Sequence, residues 1–308
     1  MKRRQFCKYG SLGFLGTLFP FYGQNLFARS QQSHSPIVWE VEGDASTIVR
    51  VLFKEIGGLA ALTDKDISKT TVLIKPNLCL PHRQEMGTTT SPQLVAAFCE
   101  YFTNAGVAKI IFIDHTLQGD IKKFRNSQIV KVTEAYPKSR WIFANEQRFY
   151  RPVAVKGNVL EETEILKILQ RADITINLAT AKHHSATQVS LCVKNLMGCI
   201  WDRSSFHTEM NLHQAIGDLA RVIRPTLNVV DATRVLLNGG PTGPGMVVKD
   251  NRIFASCDPL TVDSIILSRY DFGGRQMSAK EVPHLMAAFQ YGIGEIDVSK
   301  IQVQKISA

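Results

Sequence analysis

Apolar residues along this chain fall into short runs separated by longer amphipathic stretches, and the two patterns alternate. Residues 37–41 alternate apolar and polar side chains, which predicts a strand. Asp44 stands as N-cap to a helix predicted to reach residue 59, with Ile48, Val51, Leu52 and Ile56 on one face. Residues 71–74 read as a buried strand that stops at Lys75-Pro76-Asn77, because proline lacks a ladder N–H and biases the preceding residue away from helix. Ser91 as cap and Pro92 as first helical residue open a helix to about residue 104, closed by Gly106. The next strand, 109–113, ends at Asp114-His115. Further strands are predicted at 141–143, 152–155, 174–178, 227–230 (ending at Asp231), 253–256 and 301–303. Helices are predicted at 161–170, 211–222, 258–269 (capped by Asp258-Pro259) and 278–289.

Strands alternating with helices imply an α/β fold, with a mainly parallel Rossmann-like sheet and helices on both faces. In such sheets ligands sit beyond the carboxyl ends of the strands. Those ends carry Lys75 and Asn77, then Asp114 and His115, then Lys182, His183 and His184, and finally Asp231. A shared site at that edge is the expectation.

Residues 1–30 break the pattern. They hold Lys2, Arg3, Arg4, Lys8 and Arg29 but no acid, with an apolar stretch at 11–22. That is the layout of an export signal, and Arg3-Arg4 with the nearby Phe6 and Lys8 resembles the twin-arginine type. Two parts follow: a signal segment over 1–30 and an α/β domain over 36–308. The expected location is periplasmic or extracytoplasmic, with the twin-arginine export machinery as a partner. Cleavage after Ala28 and retention as an amino-terminal anchor both remain open.

The signal changes how the charge reads. The chain carries +9, of which four positive charges lie before Ala28, leaving about +5 on the domain. Dispersed basicity of that size, without a Lys/Arg run or a basic-aromatic module, gives no reason to expect nucleic acid. At 44% hydrophobic and 20% charged residues the chain is neither disordered nor a multispanning membrane protein.

The strings VLIKPN (72–77), TTTSP (88–92), DITINL (173–178), Lys182-His183-His184, VSLCVKNLMG (189–198), Asp231, GGPTGPG (239–245) and SCDPLTVD (256–263) occur in that order. Together they resemble the domain of unknown function 362 family over roughly residues 36–303. The resemblance implies a prokaryotic globular α/β domain, often found beside ferredoxin-like iron–sulfur modules, with no settled activity. Here Cys79, Cys99, Cys192, Cys199 and Cys257 are scattered, and no C-x₂-C pair exists. The chain therefore has no iron–sulfur motif of its own. Most of these cysteines are expected to be small core residues.

Lys75, Lys182 and Lys194 each neighbour an amide or imidazole, namely Asn77, His184 and Asn195. Ammonium groups with amide donors suit carboxylate or phosphate oxygens, and a clustered lysine is also an acid or base near neutrality. Thr89, Gly240 and Gly243 join them as expected ligand contacts; the glycine loop is neither a P-loop nor a dinucleotide fingerprint. His184 is favoured as acid, base or ligand over His183, and His207 over His213. Asp231 is read as a proton-transfer residue or, with Asp114 and His184, as a ligand of a divalent metal; the cofactor is otherwise open. The function expected is an exported enzyme acting on a small anionic molecule. The alternatives are a non-catalytic anion- or metal-binding protein and an accessory to an iron–sulfur redox system. Replacing Lys75 or Lys182 by Ala is expected to remove binding while sparing the fold.

Overall fold

A computed structural model describes residues 36–117 and 121–308. The segment read as an export signal lies outside the described residues. Five strands form the parallel heart of the sheet: β2 (Thr71–Pro76), β3 (Lys109–Asp114), β4 (Ser139–Phe143), β7 (Ile174–His184) and β9 (Leu227–Leu236). Two further pairs are formed by strands that open and close the chain and by a separate two-stranded sheet between β4 and β7 in the sequence. These are β1 (Ile37–Glu42) with β11 (Gln302–Ser307), and β5 (Tyr150–Ala154) with β6 (Glu162–Leu166). β8 (Gln188–Ser190) runs antiparallel to β7, and β10 (Val247–Ser256) is antiparallel to both β9 and β1. The order across the main sheet is β11-β1-β10-β9-β7-β2-β3-β4. The α/β architecture with a mostly parallel sheet is therefore as the hydrophobic pattern implied.

Alternate residues of each central strand enter opposite layers. Val72, Ile74, Ile110 and Phe112 pack into one layer, while Leu73, Ile111 and Ile113 pack into the other. The first layer is covered by α1 (Ala45–Glu55), α2 (Pro92–Asn104) and α4 (Gln128–Lys131), the last preceded by the short α3 (Ile121–Arg125). The second is covered by α5 (Cys192–Asn195), α7 (Leu212–Leu219), α8 (Pro259–Leu267) and α9 (Pro283–Gln290), with α6 (Ser204–Thr208) between α5 and α7.

Local chemistry sets the helix starts. The Ser91 hydroxyl accepts from Leu94 N–H and Asp258 accepts from Thr261 N–H, each followed by proline in the first turn. Asp44 occupies the N-cap of α1 without a side-chain bond, and α1 stops at Glu55, short of residue 59. Gly57 and Gly58 take positive φ there, turning the chain out of the helix.

Three expectations are corrected. Residues 161–170 are a strand and a 3-10 turn, because Val155 N–H and Gly157 N–H close a loop onto the Glu161 and Leu160 carbonyls and return the chain against β5. Pairing with β5 then overrides the helix preference of a Glu/Leu-rich segment. The helix expected at 278–289 is divided at Pro283, which starts α9 after a 3-10 turn capped by Ser278 and Glu281. Finally, β7 continues to His184 and β9 to Leu236, well past the predicted ends. Ala179 and Ala181 are small enough to be fully buried, so β7 stays paired through Lys182.

The chain leaves β2 toward β3 and β4, then returns to the other side of β2 for β7 and β9. Strand order thus reverses between β2 and β7. Crevices open at such a reversal, beyond the carboxyl ends of the strands.

Candidate functional site

A cavity of about 850 Å³ lies there, a volume within the range of small-molecule pockets. β2 supplies Lys75 with Asn77 just past its end, β3 supplies Asp114 with His115 just past its end, and β7 supplies Lys182 and His184. α5 adds Lys194 and Asn195 from the layer above. That short helix is held by Asp263 of α8, whose two carboxylate oxygens accept from Cys192 N–H (2.8 Å) and Val193 N–H (2.9 Å). Burial pushes the Asp263 carboxyl well above its usual range, and those two N–H groups pull it back.

The floor of the cavity is a closed polar network. Lys75 Nζ lies 2.9 Å from Asp114 Oδ1, both side chains almost wholly buried, and also donates to the Pro76 carbonyl and to Asn195 Oδ1. Asp114 Oδ2 accepts from Leu78 N–H at 2.7 Å. Lys182 Nζ donates to the Thr88 carbonyl at 2.7 Å and to Asn77 Oδ1 at 3.2 Å. Asn77 and Asn195 join the two halves through Nδ2 to Oδ1, and Asn195 reaches on to Asn177 at 2.8 Å. The amides therefore serve lysines across the fold, not their sequence neighbours: Asn195 serves Lys75, and Asn77 serves Lys182. Gly198 forms the wall here, since a Cβ would stand 2.3 Å from Lys75 Cε and 2.7 Å from Asp114 Oδ1.

Lys194 differs from its neighbours. Its ammonium makes no hydrogen bond or ion pair among the described residues, although it lines the cavity with Lys182 and Arg203. Burial lowers it most; nearby Cys79 opposes the shift, and Lys182, Arg203 and Lys75 add to it, leaving it at about 8. His184 is lowered to about 3, first by burial and then by Lys194 and Lys182, so it is neutral at physiological pH. Its Nδ1 accepts from Ala186 N–H at 3.2 Å, which leaves the ring proton on Nε2. His184 thus presents an Nε2–H donor.

Several expected contacts lie elsewhere. Asp231 is buried away from the cavity, accepting from Ser91 N–H and from the Thr233 hydroxyl and N–H, and so fastens the start of α2 to β9. Thr89 is buried without lining the cavity; Thr88 through its carbonyl and Thr90 through its hydroxyl make the bonds instead. Gly240 packs on His183, donating to Nδ1 at 3.2 Å while its own carbonyl accepts from Ser185 N–H. Gly243 turns at positive φ with its N–H on the Gly239 carbonyl, so Pro241 alone of that loop reaches the cavity. The N–H of Gly240 is spent on His183 and that of Gly243 on the Gly239 carbonyl. Among the described residues no group of three His, Cys, Asp or Glu side chains is arranged to hold a metal. The triad of Asp114, His184 and Asp231 does not assemble, since Asp114 is paired to Lys75 and Asp231 lies apart.

The cavity is completed by further residues, of which sequence patterning passed over Trp201 and Arg203. Cys99, Cys192 and Cys199 are core residues, as expected of most of the cysteines, whereas Cys79 lines the cavity half-buried, with Lys182 Nζ 3.9 Å from its Sγ. His115 stacks on Trp201 at 5.4 Å and 3°. Arg203 clamps the His115 and Thr116 carbonyls at 2.8 and 2.9 Å, and His207 stands at the rim. His115 follows Asp114 at a strand end and was in view, whereas Trp201 and Arg203 sit in a loop with no motif.

The family model described as "Domain of unknown function (DUF362)" matches residues 72–268. The Thylakoid-associated protein sll1697 of Synechocystis sp. is 24% identical over 228 residues, covering 69% of this chain and 68% of that protein. Among solved structures, the lactate racemase apoprotein from Thermoanaerobacterium thermosaccharolyticum aligns with a TM-score of 0.44 and 13% identity. That alignment covers 73% of this chain and 55% of the racemase, so this chain spans about half its length. No helix of the described residues is long and apolar enough to cross a membrane.

Proposed function

From a chain that belongs to the DUF362 family, with no activity attached to that membership, we propose an enzyme that binds a small carboxylate- or phosphate-bearing molecule in the β2/β7 cavity and acts on it. The observation that carries this reading is the Lys194 ammonium, unpartnered among the described residues and beside Lys182 and Arg203, which are bonded only to neutral acceptors. Three acids line the cavity: Asp114 is neutralised by Lys75, Glu164 accepts from Gln147, and Asp202 accepts from the Ser204 and Ser205 N–H groups. None is ion-paired to Lys194 among the described residues. A half-buried cation that shares a cavity with other cations and has no ion-pair partner favours an anion there. His184 Nε2–H adds a neutral donor, and a lysine at about 8 can give or take a proton near neutrality.

The test is titration calorimetry of the full domain with acetate, succinate and inorganic phosphate across pH. Lys194 is cationic below about 8, so affinity is expected to hold to that point and fall as pH rises through it. The loss expected is about tenfold or more, the size of one charge-assisted hydrogen bond. Absence of saturable binding by every anion, or affinity that rises with pH, would contradict the reading.

We further propose that residues 1–30 direct export through the twin-arginine route, placing the domain outside the cytoplasm. Arg3→Lys with Arg4→Lys is expected to strand a tagged chain in the cytoplasm, as read by cell fractionation. Unchanged export of that variant would remove this assignment.

A further inference from the structure

Of the three imidazoles that line the cavity, His115 and His184 are held in opposite tautomers, while His207 stands exposed at the rim. His184 keeps its proton on Nε2, as its Nδ1 accepts from a backbone N–H. His115 is the reverse: Nδ1 lies 2.9 Å from the Ile200 carbonyl oxygen, which can only accept, so Nδ1 carries the proton and Nε2 a lone pair. Stacking on Trp201 and the Arg203 clamp on the His115 carbonyl fix the ring in this orientation. Nε2 makes no hydrogen bond among the described residues and belongs to a half-buried residue of the cavity wall. Burial, then Arg203, lower the His115 pKa; the Ile200 carbonyl and Asp114 oppose this, and Lys75 adds to it, so the ring stays neutral.

Resting on the anion-binding reading above, we infer that His115 Nε2 is the neutral imidazole acceptor that takes a hydroxyl group of the ligand, so the ligand is a hydroxylated carboxylate or phosphate ester and not the bare acid. Glu164 and Asp202, which also line the cavity, are anionic and already accept from Gln147 and from the Ser204 and Ser205 N–H groups. The physical reason is asymmetry. Lys194 and His184 offer donors to the anionic end, and an anion made only of acceptors leaves the His115 lone pair desolvated and unpaired. Such an unpaired group discriminates more strongly than an added contact attracts. His115 is a specificity residue in this account and transfers no proton.

The experiment compares matched pairs by calorimetry on the full chain: glycolate with acetate, malate with succinate, and glycerol 3-phosphate with propyl phosphate. In at least one pair the hydroxylated member is expected to bind about tenfold tighter or more. The carboxylate and phosphate pairs tell which anionic end the site takes. His115→Phe retains an aromatic ring to stack on Trp201 but has no acceptor, and the ratio within that pair should collapse toward parity. Equal affinities in every wild-type pair, or discrimination that survives His115→Phe, overturns the inference while the anion site stands. Failure of all six compounds to bind overturns the anion site and this inference with it. Nitrogen-15 NMR of the imidazoles supplies a ligand-free arm, with the His115 signals assigned by their loss in His115→Phe. A proton on Nδ1 is expected, and a proton on Nε2 overturns the assignment.

Discussion

Lys75→Met is expected to destabilise the domain by about 3–5 kcal/mol, the cost of stranding one member of a buried ion pair. The ion pair with Asp114 is 2.9 Å long, and neither side chain has more than a few per cent of its surface exposed. Removing the ammonium leaves a buried carboxylate whose one described backbone donor is Leu78 N–H. It also deprives the Pro76 carbonyl and Asn195 Oδ1 of a donor. Urea unfolding followed by circular dichroism measures the loss as a lower midpoint with an unchanged slope. Lys75→Met with Asp114→Leu should recover a large part of it, because both charges are gone, but not all, because Leu78 N–H then lacks its acceptor. A single-variant cost below about 1 kcal/mol would mean that the pair is solvated like a surface bridge. The buried pair thus sets this prediction against the expectation that Lys75 could be replaced while sparing the fold, and the urea midpoint decides between them.

Lys194→Met should behave in the opposite way, with the fold kept and the anion lost. No described group depends on the Lys194 ammonium, and exchanging a half-buried, unpaired cation for an apolar side chain of similar length should leave stability near wild type. Binding of whichever anion titrates the wild type is expected to weaken by roughly 10- to 100-fold, and the fall in affinity above about pH 8 should disappear with it. Calorimetry and thermal melting on the same sample separate the two effects. Lys182→Met is the useful contrast: it leaves the Thr88 carbonyl and Asn77 Oδ1 without their donor, so it should lower stability as well as affinity. Wild-type anion affinity in Lys194→Met would end the proposed function.

Much of the frame was legible before any coordinates. Hydrophobic period distinguished strands from helices wherever an element was buried on one side and bounded by Pro, Gly or a capping residue. The starts of α2 and α8 at Ser91-Pro92 and Asp258-Pro259 are examples. It failed at 161–170, where helix-favouring residues pair with β5, and at the far half of β7, where small buried alanines carry a strand past its apolar run. Lys75, Asn77, Lys182, His184, Lys194 and Asn195 were named from strand ends and family strings, and all line one cavity. Asp231, Thr89, Gly240 and Gly243 came from the same strings and serve the fold around it.

Local order of residues therefore determined the α/β class, the family and the kinds of group gathered at the sheet's carboxyl edge. Period, capping and motif are properties of neighbours in the chain, and neighbours suffice to read them. What each group can do was decided only in three dimensions. Lys75 is neutralised by Asp114 and bonded to an amide 120 positions away, while Lys194, next to that same amide in sequence, is left without a partner among the described residues. His184 and His115 take opposite tautomers because of which backbone group each ring meets. Charge, proton position and hydration depend on distance and burial, and those are set by which strands and helices come together.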